Sequence, residues 1–413
     1  MTVTRLRPGS LGSRIGLVAL LALASLPLPS VASTPEDRPT PVDVAPLGAP
    51  RTASCFTPQD KGLSHDVFAF FLPSYRDHLL READWSVLST VAYFGLVARP
   101  AGTLARMTGG REDARWAAWN SPSMDRIIAK AHATGTNVVL TVTRFGWTPE
   151  SLDATRRLLS DPGARARLAR EVAAEVERRG VDGVNLDFEP IPTGERGTFV
   201  KLVRAVRAAL DEIRPGLDLT VATTGYIANY DVAGLTAPGA ADAIFIMAYH
   251  YNGSWSRRAG SVAPLRRSSY DVTDTVDAYL AETSPDKLIL GVPYYGYLWA
   301  TETGEAHSLT RPPSSRWGYP TSVIHRTAAR LAAEHGRRWD TVERGAWSRW
   351  RSRACDSCPV TWRQLYYEDA RSAGLKYDLV KRRGLRGSGI WALGYEGDRA
   401  EMEQALRDAY LAE

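Results

Sequence analysis

Eight residues constrain this chain more than any others: Asp182-Gly183-Val184-Asn185-Leu186-Asp187-Phe188-Glu189. With a period of two they form one β-strand. Val184, Leu186 and Phe188 lie on one face, and Gly183, Asn185, Asp187 and Glu189 on the other. Same-face residues sit roughly 6.6 Å apart along a strand, so the polar face is a column of three side chains ending in a carboxylate. A strand covered on both sides cannot keep such groups dry and unpaired. Each unpartnered polar group costs on the order of 1–3 kcal/mol, and a charge costs more. The column belongs either to a half-exposed strand with solvated carboxylates or to a cleft whose polar lining does chemistry.

The neighbouring sequence predicts the setting. Buried strands are expected at Val67–Phe71, Val87–Phe94, Asn137–Thr143, Leu219–Thr223, Ala243–Tyr249, Lys287–Pro293 and Gly389–Leu393, with the polar column as the fourth of eight. Helical signals fall between them. Ser121-Pro122 opens one helix through Ala131, and Asp161-Pro162 opens another that Gly180 ends. Phe199, Leu202, Val203, Val206, Leu210 and Ile213 form an apolar stripe, and helices are expected over Asp271–Ala281, Asp369–Arg383 and Asp398–Tyr410. Eight strands with intervening helices imply a (β/α)8 TIM barrel. A doubly wound open sheet would want a glycine-rich phosphate loop after its first strand, and the chain shows none there. Residues 300–362 are too long for a loop and predict a small α+β insertion after strand seven, with a helix over Thr321–His335 and strands flanking Glu343-Arg344-Gly345.

The N-terminus reads as an address. Arg5, Arg7 and Arg14 precede an apolar run from Ile15 to Leu26, with Ser30-Val31-Ala32 as a cleavage site, so residues 1–32 are expected to be a secretory signal peptide. The run is shorter than the about 20 residues a spanning helix needs, and no later segment reads as a membrane span. Removing residues 1–32 takes away three Arg and no acid, which lowers the net charge from +5 to +2. That balance makes no case for nucleic acid. Residues 33–54, with five prolines, read as an extended linker, and the folded domain is expected over 55–413. Cys55, Cys355 and Cys358 enter an oxidising compartment, where Cys355 could bond Cys358 or either could reach Cys55. The seven His show no metal-ligand spacing, so neither a metal nor another cofactor is expected.

The octapeptide resembles the signature Asp-Gly-x-Asp-x-Asp-x-Glu of family 18 glycoside hydrolases, the chitinases and their relatives. Asn185 departs from the commonest pattern and is similar to the peptidoglycan and spore-cortex hydrolase branch. The resemblance implies that Glu189 is the general acid and that the substrate's own N-acetyl carbonyl attacks the anomeric carbon, with retention. Asp187 would then hold the acetamide and help keep Glu189 protonated. Asn185 can still hydrogen-bond Asp187, but it cannot share a proton as an Asp would. Met247-Ala248-Tyr249-His250 resembles the family's Met-x-Tyr-Asp and places Met247 and Tyr249 at the acetamide; His250 departs from it, and only a neutral ring suits a general acid nearby. Trp391 matches the family's subsite-floor Trp, and Tyr295 and Tyr297 in Pro293-Tyr294-Tyr295-Gly296-Tyr297 are sugar-contact candidates. The family's Ser-x-Gly-Gly on strand three is replaced by Thr143-Arg144-Phe145-Gly146. Trp317, Trp339, Trp347, Trp350 and Trp362 in the insertion read as packing rather than sugar platforms. The implied protein is a secreted monomer that cleaves β-1,4 bonds in chitin-type or peptidoglycan glycans. The alternative is an inactive carbohydrate-binding relative.

Overall fold

The computed structural model describes residues 56–267 and 269–411, so the expected signal peptide, the expected linker and Cys55 lie outside the described residues. Eight parallel strands close a barrel: β1 (Asp66–Phe71), β2 (Thr90–Val97), β3 (Asn137–Phe145), β4 (Gly183–Glu189), β5 (Asp218–Thr224), β6 (Ala243–Met247), β7 (Leu288–Pro293) and β8 (Gly387–Leu393). Each pairs with its sequence neighbours, and β8 closes onto β1 through Asp66↔Gly387 and Phe68↔Gly389. The barrel expected from the alternation is therefore present. Among the described residues no helix is long and apolar enough to cross a membrane.

Local chemistry explains the element boundaries. Asp161 accepts from Gly163 N at 2.8 Å, Pro162 opens the helix Pro162–Arg179, and Gly180 ends it at φ 61°, a left-handed conformation that costs glycine little. Ser121, Asp271 and Asp369 cap three other helices in the same way. The helix Arg196–Ile213 buries Phe199, Leu202, Val203, Val206 and Leu210. At about 1.5–3 kcal/mol per side chain, that burial rather than helix propensity holds it on the barrel. Inside the barrel Phe70 and Phe245 meet edge to face at 4.8 Å. A Cβ on Gly389 would lie 1.9 Å from the Phe245 ring, which is why β8 carries glycine there.

Strand β6 stops at Met247, two residues short of the expected end, because His250 turns the chain with φ 64°. The insertion is also wider than residues 300–362. Its antiparallel sheet has the order Thr321–Ile324, Tyr295–Thr301, Thr361–Tyr367, Gly345–Ser352, Arg338–Asp340. It thus begins directly after β7. Thr321–Ile324, expected as the start of a helix, is a strand paired with Tyr295–Leu298; three of its four residues are β-branched. The helix proper, His325–His335, covers one sheet face over Val323, Ala328, Ala332, Ala346, Leu365 and Tyr367. Cys355 bonds Cys358.

The closed end of the barrel carries a charge network. Arg386, just before β8, pairs with Asp66 and lies 3.7 Å from Asp218. Burial pushes the Asp218 carboxyl up to about 7, and the Asp242, Asp66 and Asp182 charges add to the rise against Arg386. Arg386→Met leaves these carboxylates without their shared cation and is expected to cost about 3 kcal/mol in thermal or denaturant unfolding. A carboxyl whose folded pKa is raised stabilises the fold below its unfolded value and loses that contribution as pH rises toward 7. The deficit of the variant should therefore be largest above pH 7 and shrink at pH 5. A deficit that does not depend on pH would refute the network.

Candidate active site

Strand β4 delivers the site. The Asp-Gly step at its start is forced by close approach, since a Cβ on Gly183 would stand 2.1 Å from the Asp218 carbonyl oxygen. Asp182, outside the inward column, accepts from Val138 N at 2.9 Å and pairs with His132 Nε2 at 2.7 Å, so it ties strand starts together. Asn185 and Asp187 are buried inside the barrel, and Glu189 ends the strand at its partly open C-terminal mouth. Thr143 stands in register with Asp187, and Phe145 with Glu189. Peptide bonds following Phe94, Glu189 and Trp391 are cis, all at this same mouth.

Glu189 and Asp187 share a hydrogen bond. Burial raises both carboxyls above their ordinary range. The Asp187 charge and the bond to it raise Glu189 further, while the same bond favours ionised Asp187. Both effects favour the proton on Glu189 over Asp187. That is the protonation state a general acid needs at neutral pH.

The column is incompletely paired by protein. Asp187 Oδ1, Asn185 Oδ1 and Thr141 Oγ1 are buried with no hydrogen-bond partner, and Thr141 and Asn185 are in register. Asn185 donates to Thr220 Oγ1 at 2.8 Å, because Thr220 lies directly opposite it on β5.

The other expected residues gather at the mouth. Tyr249 is buried just past β6, edge-on to Tyr295 with ring centroids 6.1 Å apart. Burial, then the Glu189 and Asp187 charges, raise its phenol, so it donates rather than ionises beside the pair. Tyr295 is buried with an unpartnered hydroxyl. Tyr297 is half-buried and stacks on Trp299 at 5.6 Å. His250 lies 5.4 Å from the Tyr249 ring and 5.6 Å from Tyr295. Burial pushes it down to about 4, so it is neutral at neutral pH and does not oppose a protonated Glu189. Trp391 lies two residues before the end of β8, half-buried, edge-on to Phe70 at 5.5 Å and Phe94 at 4.6 Å. Met247 packs at the end of β6 and brings no polar atom. Arg144, in the altered β3 segment, reaches Thr155, Ala98 and Ser151 and holds the loop after β3.

Two aromatic residues at this mouth were not legible beforehand. Tyr230 is buried after β5, its hydroxyl 3.4 Å from Phe188 O, and Glu189 is the strongest charge it feels. It is one of 17 tyrosines and lies outside any strand end, so no spacing marks it. Trp255 is 41% exposed and 6.3 Å from His250. The five insertion tryptophans pack against the protein as expected: Trp347 stacks on Tyr366, Trp350 on His335, and Trp317, Trp339 and Trp362 lie under arginines. Among the described residues, His307, Asp340 and Glu343 are the group whose metal-ligating atoms converge, and they belong to the insertion rather than to the barrel mouth.

The chain is 26% identical over 250 residues to a putative sporulation-specific glycosylase, YdhD, of Bacillus subtilis, covering 59% of this chain and 54% of that protein. It is 22% identical over 286 residues to the cortical fragment-lytic enzyme of the same organism, covering 66% of this chain and 61% of that protein. The chain thus spans between half and two thirds of the length of these two relatives. A solved GH18 chitinase from Cycas revoluta in complex with (GlcNAc)3 superposes with a TM-score of 0.69 at 21% identity, over 83% of this chain and 99% of that one, which supports the fold. Residues 54–396 match the model of the glycosyl hydrolases family 18, and the chain belongs to that family.

Proposed function

We propose that this protein is a retaining glycosidase that cleaves β-1,4 bonds next to N-acetylglucosamine by substrate-assisted catalysis. The observation that carries the reading is the Asp187–Glu189 pair at the C-terminal end of the barrel strand β4, where burial raises both carboxyls. In this reading Glu189 protonates the glycosidic oxygen. The acetamide oxygen attacks the anomeric carbon from the opposite face. Asp187 Oδ1, buried and unpartnered by protein, accepts the acetamide N–H and balances the developing positive charge. Tyr249 donates its hydroxyl to the acetamide oxygen, and Tyr295 supplies a second unpartnered hydroxyl at the same wall. Trp391 offers the half-exposed face on which the reacting sugar stacks. Water then opens the cyclic intermediate, with Glu189 acting as base.

The substrate choice lies between chitin-type oligomers and peptidoglycan glycan strands. The Asn185 form of the motif and the two Bacillus relatives favour peptidoglycan. Mass spectrometry of products from chitin oligomers and purified peptidoglycan, run side by side, decides it. Cutting of glycans that lack the 2-acetamido group at the same rate would overturn the mechanism. Tyr249→Phe is expected to lower kcat about 10–100-fold with little change in KM, because the lost hydrogen bond forms as the acetamide cyclises. We further propose export with cleavage after Ala32; N-terminal sequencing of protein from the medium tests it.

A further inference from the structure

A second cluster of ionisable groups lies in the insertion. His307 is on the loop after Tyr295–Thr301, while Asp340 and Glu343 flank the turn before Gly345–Ser352. Asp340 and Glu343 are each only 6% exposed. Asp340 Oδ1 accepts from Val342 N at 2.8 Å and from Glu343 N at 3.0 Å. Glu343 Oε2 accepts from Ser261 N at 2.6 Å and lies 3.9 Å from His307 Nδ1. His307 Nδ1 lies 3.2 Å from Ala259 O, and a carbonyl oxygen only accepts, so Nδ1 carries a hydrogen. In a neutral ring Nε2 is then a bare lone pair. It faces the buried Asp340 Oδ2 at 2.6 Å, within ion-pair distance. A contact this short holds one cation, either the proton of an imidazolium or a metal ion that replaces it.

We propose that His307 Nε2, Asp340 Oδ2 and a Glu343 carboxylate oxygen bind a divalent metal ion of the zinc class. The three ligand atoms lie within 4.8 Å of one another. One imidazole and two carboxylates suit a borderline ion. Zinc bonds of about 2.0–2.2 Å place tetrahedral ligands roughly 3.3 Å apart, so binding spreads the Nε2–Oδ2 pair by about 0.7 Å. The supporting contacts are those of a metal site. The ligating imidazole donates its other N–H to a backbone carbonyl, and both carboxylates accept backbone N–H groups. The His307 side chain is 33% exposed, which leaves a path for the ion and room for water as a fourth ligand. The ion's role is structural. It joins the 302–309 loop, the 338–352 hairpin and, through Ala259 and Ser261, the segment following Trp255. His307 contacts Tyr366 at 5.6 Å, Tyr366 contacts Trp299, and Trp299 stacks on Tyr297, so the site braces the wall that carries Tyr295 and Tyr297.

The test uses the mature full-length protein, stripped with EDTA and titrated with zinc chloride. Elemental analysis after desalting should find one zinc per chain. The melting temperature should rise by about 5 °C at a hundredfold excess over Kd. Asp340→Asn keeps the oxygen that caps the turn and should weaken zinc binding more than tenfold; His307→Gln should do the same. Zinc that neither binds stoichiometrically nor raises the melting temperature identifies the cation as the proton of a His307 imidazolium and overturns the proposal. So does stoichiometric binding unchanged in both variants, which would place the ion elsewhere.

Discussion

Glu189→Gln is expected to lower kcat on N-acetylglucosamine oligomers by about 10³-fold or more while the melting temperature stays within about 2 °C of the parent. General acid catalysis contributes roughly 10²–10⁴-fold, and here the same carboxyl also acts as the base in the second half of the reaction. The fold is spared because Glu189 already carries its proton, so a neutral amide of the same shape adds no new buried charge. Leaving-group chemistry sharpens the test. An aryl glycoside with an acidic phenol needs little protonation, so the loss on it should be much smaller than on an unactivated oligosaccharide. Equal losses on the two substrates would mean that Glu189 is not the proton donor. Full activity in the variant would remove the assignment altogether.

Asp187→Asn carries the second largest effect, an expected loss of about 10²–10³-fold in kcat. Its pH profile distinguishes it from mere damage. Burial is the main cause of the raised Glu189 pKa, but the Asp187 charge and the hydrogen bond to it add to the rise. Removing that charge lowers the Glu189 pKa, and the fraction protonated at neutral pH falls with it. The alkaline limb of kcat/KM should thus move to lower pH, yet stay above the ordinary carboxyl range because the burial remains. A limb that moves to higher pH, or does not move, contradicts the coupling. Stability gives an independent sign. The folded pKa of Asp187 is raised, so its contribution is present below the unfolded value and is lost as pH rises. At pH 8 the Asn variant should melt no lower than the parent, as expected where a site is kept for function at a cost in stability.

The limits of what could be read beforehand follow from locality. Asp161-Pro162 and Gly180 marked both ends of one helix because caps and left-handed stops are made by the residues themselves. Thr321–Ile324 was misread as helix because its strand pairing is with Tyr295–Leu298, some 25 residues earlier, and no short-range pattern carries that partner. Along the strand, the polar neighbour that Asn185 can bond on its own face is Asp187. The barrel instead sets Thr220 of β5 beside it.

By itself the sequence determined the barrel, the strand that carries Asp187 and Glu189, and the aromatic residues at neighbouring strand ends. Periodicity and caps are short-range, and the barrel turns strand-end position into nearness at one mouth. Only the tertiary structure decided that burial and the Asp187 charge raise the Glu189 carboxyl, that burial lowers His250, and that Cys355 bonds Cys358. It alone brought Tyr230 against the acid and gathered His307, Asp340 and Glu343 into one cluster. Desolvation and through-space charge depend on everything that surrounds a group, and those surroundings come from chain segments far apart in sequence.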